Sequence, residues 1–171
     1  MRQILRRREL VEDEWRYLEE APAGPSLIVP VAQLLSTPEH WRGFEGRLGV
    51  RVEAATRVEE LVPELGRLAL IACHFPSAGD GRGYSFARLL RERYAFTGEV
   101  RAIGAVKCDQ IFFMARSGFD SFELAPNEDP AAAIAAFTRF TVAYAPGSAA
   151  VSILAQRFRA QRSGRTISSN N

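Results

Sequence analysis

Four side chains able to do chemistry lie within six residues of one another, in the run Gly79-Asp80-Gly81-Arg82-Gly83-Tyr84-Ser85. Asp80 and Arg82 supply a charge pair, and Tyr84 and Ser85 supply two hydroxyls. The glycines allow the backbone to approach a bound group closely. A guanidinium in such a turn, ahead of a helix, is suited to holding an anion. The alternative is an ion pair with Asp80 or Asp109 that only shapes the loop. Further along stand Asp109 and Gln110, then Glu123 and Asn127. His74 closes an apolar run, where a structural role is the plainer reading. Lys107 is the only lysine in the chain. Serine, histidine and acid fall into no nucleophile pattern. There is no Walker loop, and the glycine spacing is not that of a dinucleotide-binding turn.

The elements that must position these residues alternate between two kinds. Leu27 to Pro30, Leu48 to Val52, Leu68 to Phe75, Glu99 to Gly104 and Asp120 to Leu124 read as five strands. Between them lie helical patterns. Thr37-Pro38 opens one. Val58, Leu61, Val62 and Leu65 have helical spacing, interrupted by Pro63. Ser85 is expected to cap a helix to Tyr94, and Asp109 one that stops at Gly118. Asp129-Pro130 opens a last helix carrying Ala133, Ile134, Phe137 and Phe140.

Strands alternating with helices predict an α/β fold with a mainly parallel sheet. An open doubly wound sheet and a partial, TIM-like barrel both fit. A partial barrel would leave an edge that a second copy of the chain could cover. In either case the C-terminal strand ends share one rim, where ligands bind. Asp80, Arg82, Tyr84, Ser85, Asp109, Gln110 and Glu123 are thereby the candidate ligand-binding residues. Residues 1–20 read as a small N-terminal appendage, 21–146 as one α/β domain, and 147–171 as a basic helix or tail with a disordered end.

Composition narrows the function classes. At 171 residues and 47% hydrophobic content the chain can build a core for one domain. A net charge of +2 is too small to point to nucleic acid. No apolar run reaches the roughly 20 residues of a membrane span. The N-terminus has basic residues but no apolar signal region, so a cytoplasmic location is expected. Two cysteines, Cys73 and Cys108, match no disulfide framework or zinc spacing. No cofactor motif is evident and no metal is expected. No acidic residue follows Asp129, whereas five arginines do, so the C-terminal end is basic.

The combination of Asp80-Gly81-Arg82-Gly83-Tyr84-Ser85, Ala87-Arg88-Leu89-Leu90-Arg91, Gly98-Glu99-Val100-Arg101-Ala102, Asp109-Gln110 and the run Arg116 to Glu123 resembles a bacterial family, domain of unknown function 934. Weaker matches at Ile28-Val29-Pro30 and Leu48-Gly49-Val50 extend the resemblance from about residue 26 to about 142. The family carries the label of an oxidoreductase involved in sulfite reduction. Its genes typically lie beside those of assimilatory sulfite reductase and sulfate activation. The resemblance therefore implies a setting in sulfur assimilation, with sulfite reductase or its electron donor as partner. The residues themselves allow a second expectation, a small α/β enzyme or binding protein for an anionic small molecule at the Asp80–Ser85 loop. The chain departs from the family pattern at Ser77-Ala78, where an aromatic is usual. It departs again at Ala105, where Asn or Asp is usual, and at Lys107-Cys108, where a Leu-Arg pair is usual.

Overall fold

The computed structural model describes residues 2–20 and 24–143. The chain divides after Phe137 into two compact units, and the whole sheet belongs to the first. The basic segment expected at 147–171 lies outside the described residues.

Eight strands form one sheet. β1 (Gln3–Arg6) and β2 (Glu9–Glu12) make a hairpin, and β3 (Arg16–Tyr17) follows after three residues. Then come β4 (Ser26–Pro30), β5 (Arg47–Val52), β6 (Leu68–Phe75), β7 (Glu99–Gly104) and β8 (Ser121–Phe122). The spatial order is β2-β1-β8-β7-β6-β5-β4-β3. Strands β3 to β8 thus stand in sequence order and run parallel, and the β1–β2 hairpin adds antiparallel to β8. A doubly wound sheet needs a reversal of strand order. There is none here, so the partial-barrel alternative describes the fold and the open doubly wound one does not.

The curl follows from the connectivity. β2 and β3 are the two ends of the strand order, yet only Asp13, Glu14 and Trp15 join them. Three linking residues span at most about 14 Å. The edges of an eight-stranded sheet can lie that close only if the sheet bends round into a half-barrel. The segment expected as an N-terminal appendage therefore contributes three of the eight strands, with Ile4, Leu5, Trp15 and Tyr17 buried.

The connecting helices are α1 (Val31–Ser36), α2 (Pro38–Arg42), α3 (Val58–Leu61), α4 (Arg82–Glu92), α5 (Ile111–Ser117) and α6 (Pro130–Ala143). Pro63 shapes its surroundings as expected from its missing N–H: after α3 the chain tightens into a 3-10 turn, Val62–Arg67. Alternation along the strands assigns the two faces. Val29, Val50, Cys73, Phe75, Val100 and Phe122 pack with helix residues such as Leu34, Leu61, Leu90, Ile111 and Met114. The opposite, inner face carries Ile28, Leu70, Ala72 and Ile103, covered by Trp15 and Tyr17. Gly49 makes that cover possible. A Cβ there would meet the Trp15 ring at 3.1 Å and Ile28 and Leu70 at 3.2 Å.

Beside this apolar patch the inner face is charged. Arg101 of β7 is fully buried. Its Nη1 donates to both oxygens of Asp13 at 2.9 Å, and its Nε and Nη2 donate to Glu99 at 3.1 and 3.0 Å. Ser121 of β8 donates to the same Glu99 oxygen at 2.5 Å. Arg2 bonds Asp13 at 3.0 Å and the Trp15 carbonyl at 3.1 Å. Removing one partner from a buried ion pair typically costs about 3–5 kcal/mol, because the other charge stays buried and unpaired. Arg101→Met is accordingly expected to lose about that much stability in urea denaturation. A loss below about 1 kcal/mol would show that the pair does not hold the sheet closed.

Candidate functional site

The loops at the C-terminal ends of β5 and β6, together with the start of α4, enclose an open cleft of about 200 Å³. Its polar lining is Glu53, Thr56, Arg57, Glu59, His74, Arg82 and Ser85. Val52, Cys73, Phe86 and Leu89 form the apolar part. This is the rim at which an α/β sheet presents ligand-binding groups.

Of the residues singled out in the sequence, Arg82 and Ser85 line the cleft, and Asp80 stands beside it. Asp80 Oδ1 accepts the Arg82 backbone N–H at 3.0 Å and its Nε–H at 2.9 Å. Asp80 Oδ2 accepts from Arg82 Nη2 at 2.6 Å. These bonds hold Asp80 below the usual carboxylate range. The loop-shaping ion pair therefore exists, and it uses one edge of the guanidinium. The side chain remains 62% exposed and keeps Nη1. The helix begins at Arg82 rather than Ser85, which corrects the expected cap. Asp80 engages the backbone three residues earlier and Ser85 sits inside the first turn.

Tyr84 turns away and stacks edge-on against Phe75, with ring centroids 5.7 Å apart. Burial pushes its hydroxyl pKa up, and the charge of Asp109 adds to the effect. Asp109 does not cap α5, contrary to expectation. A 3-10 turn, Cys108–Gln110, precedes the helix, whose N-cap residue is Gln110, with no side-chain cap bond. Gln110 donates its side-chain amide to the Ala78 carbonyl, tying the two rim loops together. Glu123 belongs to a different group. It accepts the Tyr17 hydroxyl at 3.0 Å and lies 3.8 Å from Arg2, at the margin of the inner charged network.

Sequence reasoning missed Glu53, Thr56, Arg57 and Glu59. The available signal was position: they follow the second predicted strand, so its rim loop carries them. Among the described residues no group of three or more His, Cys, Asp or Glu is placed to hold a metal ion. No described helix is long and apolar enough to cross a membrane.

The chain matches the model of a family described as bacterial protein of unknown function (DUF934), over residues 49–166. It belongs to that family. No curated protein and no solved structure matches it. The match begins within β5, so this DUF934 protein carries its cleft-lining residues inside the matched stretch. The residues behind the resemblance divide into two groups. Arg91 bonds the carbonyls of Phe96, Gly98 and Gly118 and the carboxylate of Asp120, and Arg101 anchors the inner network. Those are scaffold. Arg82 and Ser85 stand at the cleft.

The two thiols of this DUF934 member are poor nucleophiles. Cys73 is buried, which pushes its pKa up strongly. Cys108 is pushed up to about 11, by burial first and then by a hydrogen bond to Glu128. At about pH 8 only about one Cys108 in a thousand is then thiolate. Alkylation by iodoacetamide at that pH should run at least tenfold slower than with free cysteine, as followed by mass spectrometry. Labelling at the free-cysteine rate would refute this shielding.

Proposed function

We propose that this protein takes up a small oxyanion in the rim cleft, as an accessory protein of assimilatory sulfite reduction that acts with sulfite reductase or its electron donor. One observation carries the binding half. Two arginines (Arg57 and Arg82) and two hydroxyl residues (Thr56 and Ser85) line one cleft at adjacent strand ends. Arginine offers five N–H donors in a planar fork suited to oxyanions. Asp80 uses three hydrogen bonds on Arg82, one of them from the backbone. Glu59 lies 3.7 Å from the Nε of Arg57, whose side chain is 74% exposed. Both guanidinium groups keep donors for a ligand. The family label and its genomic setting support the pathway half.

Isothermal calorimetry with sulfite and sulfate tests binding. A hydrogen bond to a charged group contributes about 1.5–3 kcal/mol when desolvated. At these exposed positions the lower end applies. Arg82→Ala and Arg57→Ala should each weaken binding by about tenfold. Wild-type affinity in both variants would rule out the cleft as the anion site.

Growth of a deletion strain on different sulfur sources tests the pathway. The expected pattern is failure on sulfate and sulfite and rescue by sulfide. Normal growth on all three would remove the assignment to sulfite reduction and leave the anion site untouched.

A further inference from the structure

Gln110 stands just ahead of α5, on the loop after β7, and its side chain reaches the loop after β6. Two features of this side chain run against stability. It occupies the N-cap position yet makes no cap bond, and glutamine is not among the residues that cap well. Its Nε2 donates to the Ala78 carbonyl instead. Its other polar atom, Oε1, is buried and has no hydrogen-bond partner among the described residues. A buried acceptor left unpaired costs more than a typical hydrogen bond returns. An apolar side chain of similar length would therefore serve the fold as well or better. An unsatisfied buried group in a native structure calls for a reason.

The bond to Ala78 secures the segment that carries Asp80 and Arg82. Pro76, Ser77, Gly79 and Gly81 of that loop are exposed. A Cβ at Gly79 or Gly81 would meet nothing within 4 Å, and neither glycine has a positive φ. The observed conformation thus does not require glycine at these two positions, while glycine leaves the backbone free to take others. Within the loop the Asp80 N–H donates to the Ser77 carbonyl at 3.2 Å, closing one turn. Asp80 in turn holds Arg82 through its two carboxylate oxygens. Among the described residues, the Gln110 amide makes the one hydrogen bond that ties residues 77–80 to another rim loop. Gln110 itself does not line the cleft.

We propose that Gln110 is a positioning residue for the oxyanion cleft: its amide fixes the 77–81 turn, so that Asp80 presents the Arg82 guanidinium to the ligand. A loop ordered beforehand spares the ligand the cost of ordering it. The inference rests on the oxyanion reading and adds a residue outside the cleft that sets its affinity.

Sulfate is the probe. Its binding to the full chain is measured by calorimetry, beside thermal unfolding of the same samples. Gln110→Met removes the donor and the unpaired acceptor together at similar length. The expected result is a melting temperature at or above that of the wild type. Sulfate affinity should fall several-fold, up to the roughly tenfold expected of Arg82→Ala. A purely structural role would give the reverse, a lower melting temperature with unchanged affinity. A double-mutant cycle identifies the route. In an Arg82→Ala background, Gln110→Met should change affinity by less than about twofold, whereas with Arg57→Ala the two losses should multiply. Gln110→Asn keeps the amide but is one methylene shorter. It should weaken binding likewise, and serves if the Met variant does not fold. Wild-type affinity in these variants overturns the inference and leaves the oxyanion reading standing. Losses that multiply in the Arg82→Ala background do the same. Absence of both sulfate and sulfite binding by the wild type overturns the oxyanion reading and this inference with it.

Discussion

The ion pair in which Arg101 Nη1 donates to both carboxylate oxygens of Asp13 is the constraint on which the rest of this structure depends. It joins a central strand to the short link between the two ends of the sheet, across 88 positions of sequence. Both side chains are all but fully buried. Burying two charges costs several kcal/mol per ion, and their attraction does little more than offset that. What the pair supplies is a requirement: separating them leaves Arg101 with Glu99 alone and Asp13 with Arg2 alone as charged partners in the interior. Hydrophobic contact alone would let the β1–β2 hairpin slide, because contacts such as Ile4 and Leu5 with the core have no direction. The fork of the guanidinium does have one, and Glu99 and Ser121 complete its bonding.

That closure has a consequence for where chemistry can happen. The inner face is filled by Trp15, Tyr17, Ile28, Leu70, Ala72 and Ile103 at one side and by the charged network at the other. Tyr17 even reaches across to Glu123, and the Arg2 guanidinium stacks over its ring at 4.4 Å. A side chain engaged in this way has little freedom to meet a ligand. The strand ends at β5 and β6 are different. There the loop after β5 and the start of α4 leave the cleft between them.

The parts of the fold that were legible in the sequence were those governed by local pattern. All five expected strands exist, because runs such as Leu68–Phe75 satisfy both faces of a covered sheet at once. Asp129 caps α6 through the Ala131 and Ala132 amides, as a short acid before proline should. The curl was legible only as one of two alternatives, the partial barrel beside the open sheet. β3 is only two residues long, and Arg16-Tyr17 carries no strand pattern. Its place comes from its parallel pairing with β4 and from the short link to β2. The site was half legible for a similar reason. The glycine-rich turn announced Arg82, while Glu53 and Arg57 sat in an ordinary polar connection. Asp109 and Ser85 look like caps by residue type, yet Asp80 and a 3-10 turn fill those roles because the chain enters each helix earlier or tighter than the pattern implied.

The near-balance of charge in the cleft is itself informative about what kind of site this could be. A permanent store of ligand would be better served by uncompensated arginines, which hold oxyanions tightly and release them slowly. Here every guanidinium at the cleft has a carboxylate beside it: Asp80 for Arg82 and Glu59 for Arg57. Pre-paired groups are already oriented, so a ligand need not order them, but each must share its donors. Such a cleft favours modest affinity and fast exchange. Under the oxyanion proposal, a cleft of that design suits release of its ligand better than retention.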